Sequence, residues 1–156
     1  MKVGVAFDHR GVHLRDAVLE SLEAHDVVDF GTDTDAVRID YPDKARELGE
    51  AIQDGRAERG ILVCGSGVGA SIAACKLIGI RAAICHDTYS AHQGVEHDDM
   101  NVLCLGSEVV GPSLARELVD AFLNASFDGG ERYVARLRKV EQMEKEMKHG
   151  KQVPTS

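Results

Sequence analysis

Residues 60–74 constrain the fold more than any other stretch. A short apolar run, Gly60-Ile61-Leu62-Val63-Cys64, meets three alternating glycines at 65, 67 and 69, and small helix-compatible residues follow through Ala74. This pattern predicts a strand, a tight turn and a helix. Glycines so spaced let the backbone adopt positive φ and approach a ligand closely, with amide N–H groups turned inward. Cys64 falls at the end of the strand, so the loop can hold an anion beside a thiol.

The rest of the chain alternates in the same way. Residues 3–7 read as a strand ending at Asp8-His9-Arg10-Gly11, and Val12, Ala17, Val18 and Leu22 predict a helix over 12–25. A second strand is expected over 27–30. Pro42 then suits the first turn of a helix that carries Ala45, Leu48, Ala51 and Ile52 before Gly55 stops it. Strands over 60–64, 81–85 and 101–105 follow, with helices over 70–77, after His86, and from Pro112. The expected fold class is α/β: a doubly wound, Rossmann-like five-stranded parallel sheet with helices on both faces, plus a C-terminal helix. Ligands should collect at the carboxyl ends of the strands, where the loops bearing Asp8 and His9, Tyr41, residues 64–69 and residues 86–97 meet.

At 156 residues the chain is expected to form a single domain over 1–150, with 151–156 as a disordered tail. Its net charge of −8 argues against nucleic acid and membrane surfaces as partners, so a phosphorylated ligand would need a local basic patch. No apolar run approaches the ~18 residues of a membrane span, and the first apolar run is interrupted too soon, at Asp8-His9-Arg10, for a signal peptide. The expected location is cytoplasmic, with Cys64, Cys75, Cys85 and Cys104 as free thiols. The last three lie in apolar segments and read as small buried hydrophobes. In the final helix, over 131–148, Val134, Leu137, Val140, Met143 and Met147 form a narrow apolar stripe among charges. Such a stripe suits packing on a neighbour, hence a homodimer or larger assembly.

Three chemistries compete for the glycine loop. Dinucleotide or P-loop binding fails on spacing: G-x-G-x-x-G is absent, and no Lys-Ser/Thr follows. A metal site is suggested by His86, Asp87, His92, His97, Asp98 and Asp99, but their spacing fits no common zinc pattern, and no metal is expected. Proton transfer on a small phosphorylated sugar needs a base, donors for an enediolate, a group to move protons between two oxygens, and a cationic grip on phosphate. The chain has a candidate for each, with Cys64 as a usable thiolate at a helix N-terminus. The residues alone leave open that Cys64 is an inert buried thiol.

Six motifs together resemble the ribose-5-phosphate isomerase type B and galactose-6-phosphate isomerase family. They are Asp8-His9-Arg10-Gly11, Asp40-Tyr41-Pro42, the run from Cys64 to Gly69 with Ala73-Ala74-Cys75-Lys76, His86-Asp87-Thr88-Tyr89-Ser90-Ala91, Glu96-His97-Asp98-Asp99-Met100-Asn101-Val102-Leu103, and Gly129-Gly130-Glu131-Arg132. The resemblance covers roughly residues 1–140. It implies a doubly wound parallel sheet, dimers or tetramers with active sites shared across a subunit interface, and no cofactor. It further implies Cys64 as the base, Ser66 assisting proton movement between sugar oxygens, and the amides of Gly65, Gly67, Val68 and Gly69 as the enediolate hole. His97 would open the sugar ring and Asp8 would sit beside the ring oxygens. His9, Arg132 and Arg136 would grip phosphate, with Tyr41 lining the sugar and Asp98 near it.

One branch of the family has Gly where this chain has Cys64 and a Glu base where it has Ala70, so the thiolate version is implied here. Three departures bear on substrate: Asp98 in place of a common Asn, Glu108 in place of a phosphate-binding Arg, and Gly94-Val95 in place of Ser-Arg. The expectation is an aldose–ketose isomerase acting through a cis-enediolate, by default on ribose 5-phosphate and ribulose 5-phosphate. Alternatives are a tetrose such as erythrulose phosphate, a hexose such as allose or galactose 6-phosphate, or a sugar-phosphate-binding protein without turnover.

Overall fold

The computed structural model describes residues 1–150, and the expected tail at 151–156 lies outside the described residues. At its centre is a parallel sheet in the order β2-β1-β3-β5-β4. The strands are β1 (Lys2–Phe7), β2 (Asp26–Asp29), β3 (Arg59–Cys64), β4 (Ala82–Ile84) and β5 (Val102–Gly106). Alternation sorts their side chains. Val3, Val5, Phe7, Ile61, Val63, Leu103 and Leu105 enter one core, while Ala6, Leu62, Cys64, Val102 and Cys104 enter the other. Both faces are apolar, as a parallel sheet covered on both sides requires.

The helices are α1 (Arg15–Glu20), α2 (Tyr41–Gln53), α3 (Val68–Ala74), α4 (Thr88–Asp98), α5 (Pro112–Asn124) and α6 (Glu131–Lys148). The β1-to-β2 and β4-to-β5 connections step one way along the sheet, and the other two step the opposite way. Right-handed crossovers therefore put α1 and α4 on one face with α5, and α2 with α3 on the other. At the carboxyl end, the loops of the adjacent strands β1 and β3 leave toward opposite faces. That divergence opens the crevice where ligands bind in such sheets.

Pro42 and Pro112 stand in the first turns of α2 and α5, as expected. The helix expected over 12–25 is instead a 3-10 turn, Gly11–Leu14, followed by the short α1. Leu14, at φ −103° and ψ 0°, ends the first and caps the second, and the Ser21 hydroxyl bonds back to the Ala17 carbonyl as α1 ends. Cys85 and Cys104 are buried, but Cys75 is exposed, because α3 stops at Ala74 and leaves it at the helix C-cap. Burial pushes the Cys85 thiol up to about 11 and that of Cys104 well above its ordinary value. Among the described residues, no helix is long and apolar enough to cross a membrane.

Candidate active site

The turn after β3 is built from backbone. Gly67 has φ 80°, the left-handed region that favours glycine, and there it serves as N-cap of α3. Its N–H donates to the Cys64 sulfur at 3.1 Å, so a donor already faces the atom that would carry a thiolate charge. The Val68 N–H donates to Ser66 Oγ at 3.2 Å. Gly69 has no room for a side chain: a Cβ there would lie 2.5 Å from Cζ of the Tyr41 ring. The end of β5 clamps the turn from below, the N–H groups of Ser107 and Glu108 donating to the carbonyls of Cys64 and Gly65, each at 2.9 Å. His86 Nε2 accepts the Gly106 N–H at 3.0 Å, and burial lowers the His86 pKa from its ordinary value.

The loop after β1 forms the facing wall. Asp8 is buried, and its Oδ1 accepts from the N–H groups of Arg10 at 3.0 Å and Gly11 at 2.7 Å. His9 Nδ1 lies 3.1 Å from the Ile39 N–H and 3.2 Å from the Ile39 carbonyl, so the backbone of Ile39 holds the ring on that side in either tautomer. Between these walls lies a cavity of about 380 Å³. Asp8, His9, Tyr41, Cys64, Gly65, Ser66 and Gly69 all line it, and the Cys64 side chain is buried at its base. Gly67 takes part through its N–H, while Val68 is exposed outside the cavity lining.

The remaining sequence-predicted residues stand elsewhere in the protomer. His97, on α4, stacks on the Tyr133 ring of α6 with centroids 4.4 Å apart and planes 5° from parallel. Gln93 Nε2 lies 3.0 Å from His97 Nδ1, the arrangement of an amide donor that leaves the ring proton on Nε2. The Arg132 guanidinium covers the same Tyr133 ring at 4.7 Å and donates to its hydroxyl at 2.5 Å; Arg136 approaches the ring at 6.0 Å. Asp98 and Arg136 line a separate groove of about 430 Å³ between α6 and the β4 edge. None of these four lines the Cys64 cavity.

Three charged residues of the cavity, Arg10, Arg38 and Asp40, were not among those expected from the sequence. The signal for Arg10 and Asp40 was their place within two of the quoted motifs; Arg38 carried none. The histidine and carboxylate run over 86–99 has other uses. Asp87 caps α4 through the Ser90 N–H at 2.7 Å, His92 pairs with Glu96, and Asp99 pairs with Arg81.

Residues 3–140 match the Ribose/Galactose Isomerase family. The chain belongs to that family. It is an enzyme, a sugar-phosphate isomerase. It is 44% identical over 131 residues to ribose-5-phosphate isomerase B of Escherichia coli, covering 83% of this chain and 87% of that one. It is 40% identical over 132 residues to D-erythrulose-4-phosphate isomerase of Pectobacterium atrosepticum, covering 83% and 87%. The ribose-5-phosphate isomerase B structure from Clostridium thermocellum superposes with a TM-score of 0.90 at 43% identity, covering 94% of this chain and 99% of that one.

Proposed function

We propose that the chain interconverts aldose and ketose forms of a short phosphorylated sugar through a cis-enediolate, with ribose 5-phosphate and ribulose 5-phosphate as the default pair. The observation that carries this reading is the Cys64 sulfur, buried at the base of a polar cavity with the Gly67 N–H aimed at it. As thiolate, Cys64 takes the proton alpha to the carbonyl. The amides of the turn receive the negative charge that develops on the substrate oxygens, and being backbone they need no reorganisation to do so. Ser66 Oγ moves the proton between the two oxygens, and Asp8 holds the hydroxyls beside it.

As the cyclic sugar opens, the bond from C1 to the ring oxygen breaks, the ring oxygen receives a proton from His97 Nε2, and the anomeric hydroxyl, which becomes the carbonyl, returns one to His97. His97 does so from a second copy of the chain, which also supplies Arg132 and Arg136 to the phosphate, joining His9 of the first. Support for two copies comes from the separation of these residues from the cavity, and from α6. Val140, Met143 and Met147 remain 45%, 65% and 70% exposed in the single protomer. A homodimer, or a tetramer built from it, covers that stripe.

A second reading keeps the mechanism and changes the sugar to a tetrose. It is favoured by Asp98 and Glu108, carboxylates that alter hydrogen bonding and charge along the substrate's length. Relative kcat/KM over aldose phosphates of four, five and six carbons separates the two. Highest turnover is expected on the pentose; a preference for the tetrose moves the assignment to the second reading, and binding without turnover across the panel overturns both.

A further inference from the structure

We propose that Arg10, aimed by Glu108, is a phosphate-binding residue supplied to the cavity by the same protomer as Cys64. The guanidinium lies flat on the glycine turn. A Cβ at Gly65 would sit 2.8 Å from Arg10 Cζ and 2.9 Å from both Nε and Nη1, near-equal distances that put the face of the group, not an edge, over Gly65. Stacking through its face leaves its N–H donors in the plane, pointing sideways along the cavity wall that Arg10 lines.

The backbone of Arg10 is pinned on both sides. Its N–H donates to Asp8 Oδ1 at 3.0 Å, and its carbonyl accepts from the Ser107 hydroxyl at 2.8 Å. Glu108, whose own N–H is tied to the Gly65 carbonyl, approaches Nη2 at 3.5 Å. Both side chains of this pair are about half exposed, at 56% and 53%, so the contact adds little to stability and its effect is orientation. It occupies one nitrogen of a group with five donors, and the rest stay free for an anion.

Donor geometry, not net charge, assigns the anion. The cavity carries the carboxylates of Asp8 and Asp40 against the cations Arg10 and Arg38. Arg38 makes no hydrogen bond or ion pair among the described residues, whereas Arg10 is held on its backbone and its side chain. A dianionic phosphate is the substrate group that matches a planar, pre-aimed guanidinium. The enediolate is already served by backbone amides.

The assignment of a substrate phosphate rests on the function proposed above, but binding of inorganic phosphate does not. The test measures the dissociation constant of inorganic phosphate by calorimetry, alongside KM and kcat for the preferred sugar phosphate. Arg10→Ala should weaken phosphate about 10–100-fold and raise KM in parallel, with kcat little changed, the loss expected for one charge-assisted contact. Glu108→Ala should raise both constants about threefold, and Glu108→Gln, which keeps an acceptor oxygen, should restore them. Unchanged phosphate affinity in folded Arg10→Ala overturns the proposal. Tighter phosphate in Glu108→Ala overturns the positioning role of Glu108, since the carboxylate would then act only as a repellent. If phosphate weakens in Arg10→Ala while no sugar phosphate is turned over, the Arg10 contact stands and the isomerase reading fails.

Discussion

The two groups of candidate functional residues are made differently. Around Cys64 the working parts are backbone amides and short side chains, fixed by β1, β3 and β5 and by a turn in which Gly67 adopts positive φ. Around His97 they are long side chains displayed on α4 and α6, ordered by stacking on Tyr133 and bordering an apolar groove that the single protomer leaves open. The first group is complete when the sheet folds. The second lies outside that cavity within the protomer, and in the proposed mechanism it acts on a substrate held by another copy. The proposed mechanism thus places anion stabilisation, which tolerates little movement, at the rigid sheet end and ring opening in the assembly, with phosphate gripped from both sides, by His9 and Arg10 of one copy and Arg132 and Arg136 of the other.

Subunit mixing should give the largest effect. Cys64→Ala and His97→Ala homo-oligomers should each lose about 10²–10⁴-fold in rate, the usual worth of a general base or acid. Co-refolded as a mixture they should regain about a quarter of wild-type activity, because half of the dimers are hybrids and each hybrid carries one intact site. No recovery in verified hybrids places both residues in one protomer's site and ends the division. A smaller effect comes from Gly67→Val, which forces a branched side chain to positive φ and moves the N–H from the sulfur. About a 10²-fold drop in kcat is expected with KM for the substrate nearly kept. An unchanged rate would mean that this N–H contributes nothing to the thiolate.

The smallest effect concerns the clamp beneath the turn. His86 accepts the Gly106 N–H only when neutral, and its folded pKa lies below the ordinary 6.5. Between those two values the unfolded chain binds the additional proton, so stability is full above about pH 6.5 and declines as pH falls through the folded pKa. Thermal unfolding should show a fall of about 2–4 °C across that interval, absent in His86→Gln. A pH-independent midpoint in the wild-type protein removes His86 from the clamp.

Much of this was legible in the sequence. Pro42 and Pro112 marked helix starts, apolar runs marked all five strands, and the glycines after Cys64 marked the turn, because each is a local preference of backbone chemistry. What escaped depends on contacts between distant segments. Arg10 enters the cavity because Gly65 lacks a Cβ and Ser107 and Glu108 hold it from β5's far end. Cys75 is exposed because α3 is one turn shorter than its apolar residues suggested. The separation of His97, Arg132 and Arg136 from Cys64 follows from where α4 and α6 lie around the sheet, which no motif encodes.

In the proposed mechanism the Cys64 thiolate removes the proton alpha to the carbonyl. The most direct test of this step is Cys64→Ala in deuterated water with the preferred sugar phosphate, following both isomerisation and exchange of the C2 hydrogen. The expected result is a folded variant of unchanged size that still binds inorganic phosphate and loses isomerisation and exchange together. Exchange at the wild-type rate in that variant would contradict it, since another group would then be taking the proton.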